Sequence, residues 1–229
     1  AFLAYLNDKG DIYLVKTDEN GNSLWTKTFG GGLSDESYSV QQTNDGGYII
    51  CGETESFGNG DWDVYLIKTD DNGDSLWTKT FGGSNDDEGK SVQQTNDGGY
   101  IITGSTKSFG NGYYDVWLIK TDVNGDSLWT KTFGGTNWEK GSSVQQTSDG
   151  GYIICGETSS FGNGYYDVYL IKTDGNGNVT STFSIPTPSS NRKLEKTIDI
   201  LGREIKPQIN IPFIEIYNDG STNKKIIVE

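Results

Sequence analysis

One string, Trp-Thr-Lys-Thr-Phe-Gly-Gly, begins at Trp25, again at Trp77 and again at Trp129, so the chain repeats with a period of 52 residues. A period of that length marks a supersecondary unit that buries its apolar faces only against copies of itself. Asp11, Asp63, Asp115 and Asp167 keep the same spacing, as do the Gly-Gly-Tyr-Ile-Ile segments beginning at Gly46, Gly98 and Gly150. No segment carries the 3.6-residue periodicity of a helix.

The unit reads as four strands divided by distinct turn chemistry. In the copy over residues 85–136, Ser91 to Thr95 is a short polar strand, and Asn96-Asp97-Gly98-Gly99 is a tight turn. Tyr100 to Ser105 follows as an apolar strand, and Phe109 to Gly112 makes a longer loop. Asp115 to Thr121 is apolar on both faces, as in a sheet covered on both sides. Asp122 to Asp126 then turns the chain into Ser127 to Phe133. Such sheets must stack face to face, radially in a β-propeller or linearly in a solenoid, and the period suits the four-stranded blades of a propeller. The Trp25, Trp77 and Trp129 series and the Tyr65, Trp117 and Tyr169 series supply rings to pack between blades.

The expected fold is therefore all-β, a β-propeller-like array of about 3.75 four-stranded antiparallel blades over residues 1–184, with a partial blade at 1–32 and whole blades at about 33–84, 85–136 and 137–184. Ala1 to Leu6 matches a second strand, so the first blade lacks its first strand and the chain reads as a fragment. Asn178 to Ser184 has neither Trp nor Gly-Gly and reads as a closing strand. Cys51 and Cys155 match each other across two periods; blades two apart exceed the reach of a disulfide, so both are expected to be free, buried thiols.

Eighteen basic residues against 32 acidic ones give a net charge of −14, which repels phosphate backbones and anionic membrane surfaces, so no nucleic-acid partner is expected. The two arginines, Arg192 and Arg203, lie near the C-terminus, and histidine is absent. No stretch approaches the roughly 20 apolar residues that cross a bilayer, so membrane insertion is not expected.

Composition shifts at Ile185-Pro186-Thr187-Pro188-Ser189-Ser190, placing a linker at 185–192 and a small β segment at 193–229. That segment carries Ile198-Asp199-Ile200-Leu201-Gly202-Arg203-Glu204, then Ile214-Glu215-Ile216-Tyr217-Asn218-Asp219-Gly220, and ends Lys224-Lys225-Ile226-Ile227-Val228-Glu229. It resembles the short C-terminal sorting domains of the type IX secretion system, and the resemblance implies export to the exterior or the outer cell surface, with Leu201, Gly202, Arg203, Lys224 and Lys225 as the sorting residues and the secretion machinery as partner. The repeats, with Asp-Val-Tyr-Leu-Ile-Lys-Thr-Asp and Asp-Gly-Gly-Tyr-Ile-Ile, resemble bacterial extracellular β-propeller repeats, which implies the architecture and an exterior location without a defined ligand.

Three sets of residues are candidates for chemistry. The Asp-x-Asn-Gly turns at Asp18, Asp70, Asp122 and Asp174 offer oxygens to a hard cation but supply three side chains where a calcium loop needs six to eight ligands; they read as turns, and no metal or cofactor is expected. Trp62, Tyr113, Tyr114, Trp138, Tyr165 and Tyr166 lie in loops of one expected face, beside acidic residues, and are the candidate glycan- or peptide-binding aromatics; the bland alternative is that they fill gaps between blades. Glu53, Glu55 and Glu157 are the obvious carboxylates for glycoside hydrolysis, but Glu53 and Glu157 sit 104 residues apart at matching positions and read as repeat drift. The expected function is non-catalytic binding or adhesion outside the cell; a carbohydrate-active enzyme and a purely structural spacer are the alternatives.

Overall fold

The structure is a computed structural model, and it describes residues 2–6, 10–185, 193–199, 202–208, 213–218 and 222–225. Three strands, β1 (Phe2–Leu6), β2 (Ile12–Thr17) and β3 (Ser23–Phe29), form an antiparallel sheet in sequence order. Three four-stranded sheets follow in the same meander: β4 (Asp35–Gln42), β5 (Tyr48–Thr54), β6 (Asp63–Thr69) and β7 (Ser75–Phe81); β8 (Asp87–Gln94), β9 (Tyr100–Thr106), β10 (Asp115–Thr121) and β11 (Ser127–Phe133); β12 (Glu139–Gln146), β13 (Tyr152–Thr158), β14 (Asp167–Thr173) and β15 (Val179–Ile185). A separate three-stranded sheet joins β16 (Leu194–Ile198), β17 (Phe213–Tyr217) and β18 (Thr222–Lys225). Among the described residues there is no helix, hence none able to cross a membrane.

The sheets are propeller-like blades, and the array is not closed into a ring. Each blade buries one face against the next, because strands such as Tyr-Ile-Ile and Asp-Val-Trp-Leu-Ile are apolar on both sides. Ile12 and Leu14 of the first blade pack with Tyr48, Ile50, Tyr65 and Ile67 of the second. Ile49, Cys51, Val64 and Leu66 on the second blade's other face meet Val92, Ile102, Trp117 and Ile119 of the third. Ile101, Val116 and Leu118 then meet Val144, Ile154, Tyr169 and Ile171 of the fourth. The tryptophan series locks these contacts: Trp25, Trp77 and Trp129 meet Tyr48, Tyr100 and Tyr152 of the following blade at ring-centroid distances of 5.7, 5.8 and 5.9 Å. Trp77 also lies against Gly125, at φ +79°, where a Cβ would stand 2.7 Å from the indole. Glycine serves that hairpin twice, by its positive φ and by its missing side chain.

Two readings from the sequence are corrected. The first strand of the third blade begins at Asp87 rather than Ser91, with a bulge between Gly89 and Ser91. A leading aspartate suggests a loop, yet Asp87 is fully buried because Thr106 Oγ1 and the Gly83 N–H donate to its carboxylate. Cys51 and Cys155 are both free thiols, but Cys51 is buried and Cys155 is exposed. The sequence around them is nearly the same; the difference is that a blade covers Cys51 and, among the described residues, none covers Cys155.

Candidate functional site

The Asp-x-Asn-Gly hairpins use their carboxylates internally. Asp122 Oδ1 accepts the N–H groups of Asn124 and Asp126 at 2.9 and 2.8 Å, and Asp18, Asp70 and Asp174 repeat the arrangement. Such hydrogen bonds hold the Asp18, Asp122 and Asp174 carboxyls below the usual range; for Asp18 and Asp174 the largest cause is the side-chain amide of Asn22 and of Asn178, and for Asp122 the Asp126 N–H. Among the described residues no group of three acidic or sulfur ligands converges.

The loop aromatics divide into those joined across a blade boundary and those left open. Tyr113 and Tyr114, just before β10, both stack on Trp138, just before β12, at centroid distances of 5.2 and 4.8 Å. A backbone bridge ties Tyr114 to Trp138, and the Glu139 N–H donates to the Tyr114 carbonyl. The Tyr114 hydroxyl donates to Asp86, and burial together with that carboxylate raises its pKa strongly. Only Tyr113 remains broadly exposed, at 60%. Trp62 occupies the equivalent place one blade earlier, where its carbonyl accepts the Asp87 N–H. Tyr165 and Tyr166 hold the same positions in the fourth blade and are 94% and 51% exposed.

A charged chain runs beneath these loops across the inner strands. Lys90 on β8 contacts Glu53 at 3.2 Å and Glu88 at 3.3 Å, and Lys140 on β12 reaches Glu88 at 3.3 Å. Lys90 lies 3.5 Å above the ring of Tyr38, whose hydroxyl donates to both Glu36 and Glu53. Burial raises the Glu53 pKa, with the Lys90 charge opposing it. Each lysine extends back to the preceding blade, so the chain staples neighbours as well as concentrating carboxylates.

The structure also forms a hollow that the sequence reading missed, of about 290 Å³ between the second and third blades, lined by Thr80, Phe81, Gly82, Phe109, Trp117 and Thr130. Phe109 and Trp117 meet at 5.3 Å, and Trp117 is 4% exposed. Its indole Nε1 is buried and makes no hydrogen bond. In the preceding blade the same position is Tyr65, whose hydroxyl is bonded to Thr78. The Tyr-to-Trp change is visible in the repeat, but the unmatched donor it leaves appears only once the neighbouring strands are in place.

The sorting-type residues are placed in part. Arg203 caps a turn, its Nε and guanidinium 2.7 Å from Asp199 Oδ2, with Gly202 at φ +82°. Lys224 and Lys225 lie in β18, paired with Ile214 and Phe213. Leu201 and most of the 185–192 linker lie outside the described residues.

No family model matches the chain. Among curated proteins, the regulatory protein FlaEY of Caulobacter vibrioides is 24% identical over 197 residues, covering 72% of this chain and 21% of that protein. The chain thus spans about a fifth of that relative's length. Among solved structures, a protein of unknown function from Bacteroides caccae superposes with a TM-score of 0.53 at 12% identity, covering 98% of this chain and 72% of that one. A bifunctional GH43-CE protein of Bacteroides eggerthii gives 0.42 at 15% identity, covering 93% and 29%. The Bacteroides caccae likeness is one of fold alone: the chain shares an all-β, blade-repeating architecture with it.

Proposed function

We propose that the chain is a non-catalytic binding module, secreted or displayed on the outer cell surface through its type IX-like C-terminal segment, that captures a neutral glycan or peptide group in the hollow beside Trp117. The observation that carries this reading is the aromatic hollow lined by Phe81, Phe109 and Trp117, beside a Trp117 N–H that is buried and unpartnered. An unmet buried donor costs about 1–3 kcal/mol, which a ligand oxygen recovers when the indole shifts to present its N–H to the hollow. The 290 Å³ volume, at the lower end of ligand pockets, suits a single ring. Phe81 and Phe109 supply apolar faces, Thr80 and Thr130 supply hydroxyls, and a chain of net charge −14 disfavours anions.

The test is a glycan and peptide array with isothermal titration of any hit. Trp117→Phe keeps an aromatic ring, smaller than the indole, and removes the donor, so affinity should fall about tenfold. Unchanged affinity in Trp117→Phe overturns the site.

A second reading, glycoside hydrolysis, is favoured by Glu53, whose pKa burial raises and which sits in a chain with Glu36 and Glu88. Turnover of any array glycan that is abolished in Glu53→Gln would replace the binding reading with this one.

A further inference from the structure

The second–third and third–fourth blade boundaries are built alike, and the fourth blade carries one half of such a boundary on which no described strand lies. Between the second and third blades, Gly89 lies so close that a Cβ on it would stand 2.6 Å from the Gly52 carbonyl, 2.7 Å from Cys51 Sγ and 2.9 Å from Val64 Cγ1. Between the third and fourth, a Cβ on Gly141 would stand 2.5 Å from Thr103 Oγ1, 2.9 Å from the Gly104 carbonyl and 3.1 Å from Val116 Cγ1. The corresponding cradle on the fourth blade is Cys155, Gly156 and Val168, and these residues line an open hollow of about 250 Å³ together with Glu157 and Tyr166. Cys51, Val64 and Val116 are fully buried, whereas Cys155 and Val168 are exposed.

The backbone makes the same point independently. The Val92 N–H donates to Ser39 Oγ at 3.3 Å and the Gln94 N–H to Gln41 Oε1 at 2.7 Å; one blade on, the Val144 N–H donates to Ser91 Oγ at 3.4 Å and the Gln146 N–H to Gln93 Oε1 at 2.6 Å. In return Gln94 and Gln146 accept the N–H groups of Asn44 and Asn96, each at 2.9 Å. Ser143 and Gln145 are the next acceptors in this series; both are exposed, and among the described residues no strand donates to them. Tyr165 and Tyr166 likewise stand open where Tyr113 and Tyr114 stack on Trp138.

We infer that this face receives an extended strand of the pattern Gly-x-Ser-Val-x-Gln, the first strand of a further blade of the same repeat. The pattern occurs at Gly89 to Gln94 and at Gly141 to Gln146, and both of those strands are already seated on preceding blades. The remaining first strand, β4, carries Ser37 in place of the glycine and is itself seated on the first blade, where Val40 packs against the Ile12 and Leu14 cluster. A second copy of residues 1–185 therefore has no free strand of the required kind, and the occupant is a blade other than these four. The occupant's glycine fills the cradle, its valine joins the apolar layer, and its backbone N–H groups reach Ser143 and Gln145.

Cys155 is the reporter and Cys51 the internal control. The full chain is alkylated with iodoacetamide, and modification at each cysteine is followed by mass spectrometry, with and without a synthetic peptide of residues 84–95. Saturating peptide should slow Cys155 alkylation by more than about tenfold, because only the unoccupied fraction reacts, while Cys51 stays unmodified. A peptide with Val in place of Gly89 should give no protection. In the Ser143→Ala/Gln145→Ala protein, whose changes fall on exposed side chains, the peptide concentration for half-protection should rise about tenfold. The inference is overturned if the peptide gives no protection, or if the Val peptide protects equally. It is also overturned if protection grows with protein concentration alone and tracks a dimer mass, which assigns the face to a second copy.

Discussion

Replacing Gly89 by Ala probes how tightly the blades are pressed together. The added carbon would stand 2.6 Å from the Gly52 carbonyl, 2.7 Å from Cys51 Sγ and 2.9 Å from Val64 Cγ1, where carbon contacts are comfortable at about 3.5–4.0 Å. None of the three can retreat easily: Gly52 is paired in the ladder with Tyr65, and Cys51 and Val64 sit in the fully buried strands β5 and β6. Overpacking of this kind costs about 1–3 kcal/mol, and three simultaneous contacts put Gly89→Ala at the upper end. The loss of backbone freedom in the unfolded chain offsets about 0.4–1 kcal/mol, leaving a net destabilisation of about 2 kcal/mol. For a chain of 229 residues that lowers the melting midpoint by about 4–8 °C. Gly32→Ala is the control, since a Cβ there meets nothing within 4 Å and the backbone φ is ordinary. Both variants are compared by thermal and urea unfolding, followed by tryptophan fluorescence. If Gly89→Ala unfolds within about 0.5 kcal/mol of Gly32→Ala, the close approach of blades at glycine is refuted, and the cradle argument on the fourth blade goes with it.

Further outcomes are expected from the same geometry. Trp138→Ala removes two stacked partners and should destabilise by about 2 kcal/mol in urea unfolding, whereas Tyr165→Ala, with an almost fully exposed ring, should lie within about 0.5 kcal/mol of the parent. Native-state thiol labelling should modify Cys155 and spare Cys51, whose thiol burial pushes up to about 12; equal labelling of both would contradict the packing of the third blade on the second. Burial raises the Asp45 carboxyl, but hydrogen bonds from Thr43 and Lys68 outweigh it and hold the group at about 2. The folded state therefore takes up this proton less readily than the unfolded chain, so the stabilisation is complete above about pH 4 and is lost as pH falls towards 2. Because Asp45 is largely exposed, the effect is under about 1 kcal/mol, read as a smaller pH dependence of the urea midpoint in Asp45→Asn between pH 6 and pH 2.5.

Most strands could be read from the chain because their signals are local. Asp115 to Thr121 and Ser127 to Phe133 are bounded by Asx turns and glycines, and the structure begins and ends those strands at the same residues. The first strand is longer than its sequence signal because Asp87 gains its partners, Thr106 and Gly83, only from elsewhere in the fold. The candidate site was less legible. Tyr113, Tyr114 and Trp138 stood out by composition, yet their stacking is a blade-to-blade contact between residues far apart in sequence. Trp117 is a packing ring, as its place in the repeat suggests; that its N–H lacks a partner depends on the placement of β7 and β11 around it.

The sequence by itself determined the unit: a 52-residue period, four strands, and turns fixed by aspartate, asparagine and glycine, all properties that reside within one copy. It could not determine which copies are covered. Cys51 and Cys155, Glu53 and Glu157, Val64 and Val168 are the same residues at the same places in the repeat, and they differ only in whether another blade lies against them. Burial is a property of the neighbour rather than of the residue, so only the tertiary arrangement distinguishes a packed core from an open surface.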